Sequence, residues 1–219
     1  LGRGYLRAVR LEIDERCPQD IVDSLLANFD LPANAVYKIN GPVNLNRVVQ
    51  VYDLVQRPDL KFPAFQPRMP REVDAMFDLI QQGDVLLHHP FDAFTPVLEL
   101  IRQAAEDPNV LAIKQTLYRT GKESAIVDSL IQAARKGKDV TVVVELRARF
   151  DEEANLGLAD RLQDAGVQVV YGVVGYKTHA KMLLIVRREG KSLRRYVHLG
   201  TGNYHSGTAR AYTDFSLMT

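Results

Sequence analysis

The segment 175–186, GYKTHAKMLLIV, sets His179 two positions before Lys181 at the head of an apolar run. In an extended strand, residues two apart point to one side at a separation of roughly 7 Å, so imidazole and ammonium would share a face while Ala180 and Met182 take the other. That pairing suits phosphoryl transfer. An imidazole nitrogen can attack phosphorus and hold the group as a phosphohistidine, dividing one hard transfer into two easier ones. Attack on a polyanion needs cations: lysine supplies a point charge, arginine a planar fork matched to phosphate oxygens. Preorganised charge of this kind is usually the largest single source of rate. Alone, H-x-K is a weak signal, and a half-buried strand histidine is the commoner reason for it.

More groups can join the pair if the fold brings them together. Arg119 follows the strand-like VLAIKQTLY, and Arg149 follows VTVVVEL after two residues, 30 positions further on. One strand–helix repeat has about that length, so both arginines should leave the sheet at the same rim, where ligands of open parallel sheets bind. If the segment after VQVVY returns antiparallel, His179 begins it at that rim. The turn HLGTGNY, residues 198–204, brackets a strand end with Gly200 and Gly202, which permit close backbone approach, and Asn203 offers an amide. Arg210 and Tyr212 follow, and the tyrosine could stack on a base or donate a hydrogen bond. The remaining histidines have plainer readings: His88 and His89 fix a loop ahead of Pro90, His198 is structural, and His205 is a loop residue. DEEAN reads as the acid-rich first turn of a helix rather than a metal site.

Positioning these residues takes a regular scaffold. Residues 5–13 alternate as a strand, CPQDIVDSLLANFDL has helical spacing, AVYKIN is a short strand, and Leu45, Val48, Val49, Tyr52 and Val55 form a helical stripe. This opening is a small α+β portion. Residues 57–70 hold four prolines in fourteen positions, too many for helix or central strand. The boundary is expected there, giving domains 1–66 and 67–219. Beyond it strand DVLLHH, a helix from Thr95, strand VLAIKQTLY, helix ESAIVDSLIQAARKG, strand VTVVVEL, helix DEEANLGLADRLQDAG and strand VQVVY alternate. Three consecutive strand-like segments close the chain. The fold class is therefore α/β, a mixed and mainly parallel sheet covered by helices on both faces, with added antiparallel strands.

Bulk properties narrow the function. Among 219 residues, 28 basic and 27 acidic side chains leave a net charge of +1, so no global field favours nucleic acid or an anionic membrane. An anionic ligand must be held by a local cationic cluster. The single cysteine, Cys17, excludes an internal disulfide and fits a reducing compartment, with the cytoplasm as default. Beside Pro18, it has no histidine pattern that would make it a nucleophile. No apolar run reaches the ~20 residues of a membrane span. The first residue, Leu1, and the strand-like end suggest an internal piece of a longer protein.

The segments GPVNLNRVVQVYDLVQRPDLKFPAFQPRMP, GDVLLHHPFDAF, AIKQTLYRTGKESAIVDSLIQAARKGKDVTVVVELRARFDEEAN, GYKTHAKMLLIVRRE and HLGTGNYHSGTARAYTDFSLMT closely resemble the large, phosphohistidine-forming bacterial polyphosphate kinases. The likeness covers nearly the whole chain. It implies a phospholipase-D-like fold for 67–219, the end of a head domain for 1–66, and reversible synthesis of polyphosphate from ATP with Mg2+. It matches His179 to the phosphorylated histidine with Lys181 beside it, and Arg119 and Arg149 to a magnesium–phosphate site. Tyr212 matches a nucleotide-contacting position. Because guanidinium has no lone pair, the two arginines are expected to hold phosphate oxygens that magnesium bridges. The resemblance further implies homo-oligomers of the full-length protein, and further domains without which this piece turns over little. Two other readings stand beside it. Phospholipase-D-type phosphodiesterases or phosphatidyltransferases share H-x-K, but Val186 occupies the position of their aspartate and GTGN replaces their serine form. A non-catalytic polyanion-binding module would use the same cations without a phosphoenzyme.

Overall fold

A computed structural model describes residues 8–69, 73–118, 124–145, 152–172 and 175–219, with residues 152–156 described in backbone alone. The chain divides after Ala64 into two units. In the first, β1 (Leu11–Asp14) pairs in parallel with β2 (Val36–Ile39). Parallel neighbours need a crossover, and α1 (Gln19–Phe29) supplies it. Asp30 ends that helix in the left-handed region, at φ 52°. The helical stripe expected over residues 45–55 forms as a 3-10 turn at Leu45–Val48 followed by α2 (Val49–Leu54). Within this unit Leu45, Val48, Val49 and Tyr52 stay exposed, while Ile13, Val22 and Ala35 are buried.

The second unit begins at Phe65. Its elements are α3 (Met76–Gln82), β3 (Val85–His89), α4 (Thr95–Glu106), β4 (Val110–Leu117), α5 (Ala125–Arg135), β5 (Asp139–Val144) and α6 (Glu152–Asp164). They continue with β6 (Gln168–Tyr171), β7 (Lys181–Glu189), β8 (Ser192–Gly200), α7 (Ser206–Ala211) and β9 (Asp214–Met218). Seven strands form one sheet in the order β3-β9-β8-β7-β4-β5-β6. β4, β5 and β6 are parallel neighbours, and every other pair is antiparallel. The α/β class with a mixed sheet is thus what the sequence predicts. Five strands point one way, but β7 and β9 intervene, so antiparallel pairs outnumber parallel ones. β3, the first of these seven strands in chain order, lies at the far edge beside β9 rather than next to β4.

One expectation fails: the sheet is not covered on both faces by the described residues. Strand order does not reverse along β4-β5-β6, so right-handed crossovers carry α5 and α6 to the same side. α4 packs against α5, and α3 against α4, in the same layer. Side chains alternate accordingly. Leu87, Val140, Val142, Leu183, Ile185, Tyr196 and Met218 are buried, while Leu86, Met182, Leu199 and Phe215 are exposed on the other face. Between the sheet and the helices, Leu100, Ile101, Leu130 and Leu162 are fully buried, each contributing roughly 1.5–3 kcal/mol on transfer from water. Gly137 and Gly166 terminate α5 and α6 at φ 80° and 87°, where a side chain would be strained.

Candidate active site

Topology gathers the chemistry at one edge of the sheet. β4, β5 and β6 all finish there. β7 runs antiparallel to β4, with Gln115 opposite Leu183, so Lys181 starts its strand beside the end of β4. Lys181 also faces Gly200, the last residue of β8, and Gly200 faces Ser216 on β9. Asp214, which opens β9, pairs with His89, which closes β3. The antiparallel return expected after VQVVY is therefore present.

His179 precedes β7 instead of lying in it, and its side chain bends onto that of Lys181. The Lys181 Nζ stands 2.9 Å from both ring nitrogens, far closer than two side chains projecting straight from one strand face. The imidazole is exposed, whereas Lys181 is 6% exposed. Tyr118, immediately after β4 and itself buried, presents its ring edge-on to His179 at 5.1 Å between centroids. Lys177 Nζ lies 5.3 Å from that tyrosine's ring centre and Lys181 Nζ 5.6 Å, so the aromatic face collects two ammonium groups. Loss of water around the imidazole, then the positive charges of Lys181 and Lys177, lower the His179 pKa below its ordinary value. The neutral ring, with a lone pair free for bond formation, is favoured. Burial pushes the Lys181 ammonium down too; Asp214 pulls it back up and Lys177 adds to the depression.

Beneath the pair the buried face of the sheet is polar. His198 donates or accepts at Nδ1 with the Tyr204 hydroxyl at 2.7 Å. Its Nε2, the amide of Gln115 and the Thr178 hydroxyl have no hydrogen-bond partner among the described residues. Burial, with His89 nearby, lowers the His198 pKa to about 3, so it is neutral; burial likewise holds the Tyr204 phenol protonated. The other histidines have structural roles. His89 bridges the Asp92 carbonyl and the Ser216 hydroxyl, each at 2.9 Å. His88 stacks on Phe215 at 4.6 Å, and His205 caps α7 by accepting the Thr208 N–H.

The turn after β8 is built around Asp214. Its carboxylate accepts the Thr201 hydroxyl at 2.8 Å and packs against Gly202 so closely that a Cβ there would meet Oδ2 at 2.5 Å, Cγ at 2.6 Å and the Asp214 Cβ at 2.9 Å. The last of these is the base of a side chain and cannot swing aside. Gly202→Ala is expected to destabilise the fold by about 1–3 kcal/mol through overpacking; denaturant unfolding of variant and parent chains measures it, and an unchanged midpoint would contradict this packing.

The structure thus places His179 and Lys181 in contact. Asn203 is half-buried in the turn and Tyr212 is 65% exposed after α7, two residues before Asp214. Arg119 and Arg149 lie outside the described residues. Sequence reasoning passed over Tyr118, Lys177, Glu145 and Asp214. Asp214 had a usable signal, since it follows a glycine-bracketed turn and starts a strand beside its partner. Among the described residues no three His, Cys, Asp or Glu side chains converge on a possible metal position, and guanidinium cannot ligate.

An imidazole thus rests against an ammonium at the rim where the parallel strands of an α/β sheet end. Residues 75–219 match the family "Polyphosphate kinase C-terminal domain 1" and residues 2–51 match "Polyphosphate kinase middle domain", and the chain belongs to the polyphosphate kinase family. Polyphosphate kinase of Xylella fastidiosa (strain 9a5c) is 78% identical over 217 residues, covering 99% of this chain and 31% of that protein. Polyphosphate kinase of Pseudomonas aeruginosa is 60% identical, covering 100% of this chain and 32% of that protein. The crystal structure of polyphosphate kinase from Porphyromonas gingivalis matches with a TM-score of 0.68 at 32% identity, over 96% of this chain and 34% of that one. The resemblance carried by the motifs is borne out. The chain spans about a third of the length of the curated relatives it matches. No helix among the described residues is long and apolar enough to cross a membrane.

Proposed function

We propose that this chain carries the phosphohistidine-forming part of a cytoplasmic polyphosphate kinase that exchanges phosphate reversibly between ATP and polyphosphate. The single observation behind this is an exposed imidazole with a depressed pKa touching a buried ammonium at the sheet rim. A neutral ring nitrogen of His179 attacks the γ-phosphorus of ATP. The N–P bond forms as the bond to the bridging oxygen breaks, and ADP leaves with that electron pair. A terminal oxygen of polyphosphate then attacks the same phosphorus, the N–P bond breaks, and the ring recovers its lone pair.

Lys181 meets the transferring phosphoryl oxygens, giving up its contact with the ring as they arrive. Arg119 and Arg149 hold further phosphate oxygens, and Asn203 and Tyr212 contact the nucleotide. Magnesium comes with ATP as part of the substrate. Residues 1–66 belong to the head domain and 67–219 to the first C-terminal domain of a homo-oligomeric enzyme. The chain alone turns over little or nothing, consistent with its share of its relatives' length. The test uses the full-length protein and ATP labelled in the γ-phosphate. Acid-labile, alkali-stable label should map to the peptide containing His179; label confined to other peptides, or a parent that never takes label, would defeat the proposal.

A further inference from the structure

Three strand ends converge on the residue just before His179. Glu145 directly follows β5, and its N–H donates to the Leu117 carbonyl of β4 at 3.3 Å. Its side chain reaches over the end of β4 toward the segment leading into β7, where Oε2 accepts the Thr178 N–H at 2.6 Å. The carboxylate is buried, at 3% exposure. Gly172, just beyond β6 at φ 55°, lies alongside: a Cβ there would sit 3.8 Å from the Thr178 hydroxyl and 4.0 Å from Glu145 Oε2.

Burying a polar side chain costs free energy unless its oxygens are hydrogen-bonded, and one oxygen of Glu145 takes the Thr178 N–H. Residues 175–180 are outside regular secondary structure and carry Lys177 beside His179, with Lys181 following, so like charges push this segment apart. The Glu145 side chain fixes the peptide group one residue from the ring by accepting its N–H. At 2.6 Å this N–H···O contact is at the short end of the hydrogen-bond range.

We infer that Glu145 is a positioning residue for His179: by holding the Thr178 N–H it sets the point from which the imidazole leaves the backbone, and so its place against Tyr118 and Lys181. This rests on His179 being the nucleophile. Glu145 touches no reacting atom; a displacement near 1 Å of the group it supports is enough to lower rate by about 10²-fold.

The experiment uses the full-length polyphosphate kinase containing this segment, with Glu145→Ala, Glu145→Asp and Glu145→Gln. Single-turnover phosphoenzyme formation and ATP dissociation constants are measured for each, with the parent and His179→Ala alongside. Glu145→Ala is expected to slow phosphoenzyme formation by about 10²-fold with nucleotide affinity unchanged. Glu145→Gln, whose amide oxygen can still accept the N–H, should recover most of the rate. Glu145→Asp, one methylene short, should fall between them, and it decides the matter if the alanine variant does not fold. Parental rates in the alanine or aspartate variant would overturn the inference. So would a glutamine variant as slow as alanine, or a folded alanine variant that is slow only because it has lost nucleotide affinity. A parent that forms no phosphoenzyme, or a His179→Ala variant that still does, defeats the reading of His179 itself, and is seen before any Glu145 variant is compared.

Discussion

In the full-length parent, His179→Ala should abolish acid-labile phosphoprotein and lower polyphosphate synthesis by on the order of 10⁴-fold or more, the scale on which removal of a covalent nucleophile acts. The size follows from the absence of a substitute among the histidines of this chain. His89 has both ring nitrogens engaged, by the Asp92 carbonyl and Ser216 hydroxyl. His198 is 1% exposed and bound to Tyr204. His205 caps a helix, and His88 lies flat on Phe215. His179 alone joins exposure, a depressed pKa and contact with an ammonium group. Nucleotide affinity should change little, since the ring contributes a bond made only in the transition state and the intermediate. Phosphoenzyme retained at a normal level in His179→Ala would remove the residue from the mechanism.

Much of this site was legible because its positions repeat with the elements. Val, Ile and Leu runs marked β4, β5 and β6; Pro96 at the start of α4 and glycines 137 and 166 marked helix ends. Together they placed His179 and Lys181 at a shared rim, given one antiparallel return. The details that escaped are those that no periodicity encodes. Strand spacing says that His179 and Lys181 share a side, but their direct contact depends on His179 leaving the strand before it begins. Glu145 reads from the sequence as a charged residue at a strand end, and only the loop passing over β4 gives it the Thr178 N–H. Asp214 acts on Lys181 from a strand two places away in the sheet. The single covered face also escaped, because β-branched runs reveal that strands are apolar, not on which side a crossover helix lies.

Lys181→Met should slow phosphoenzyme formation by about 10²–10³-fold, the range found when one preorganised donor to a developing charge is removed, while leaving the fold as stable or more so. Burial, above all, sets the Lys181 pKa below its ordinary value, with Asp214 opposing and Lys177 reinforcing. Between that lowered value and the unfolded one, the folded chain binds fewer protons than the unfolded chain, so stability rises with pH across this window. Below that window the folded state carries the full penalty of an ammonium in poor solvent. Methionine, of similar length and without charge, relieves that penalty and keeps the packing. The imidazole should respond as well: with one positive neighbour gone, the His179 pKa moves back up toward its ordinary value. More of the ring is then protonated at a given acid pH, and the acid limb of phosphoenzyme formation shifts to higher pH. Rapid-quench rates from acid to neutral pH, with melting midpoints at neutral pH, test both halves. A variant that phosphorylates at the parental rate, or one that loses its fold along with its activity, would show that Lys181 is kept for structure and not for the phosphoryl group.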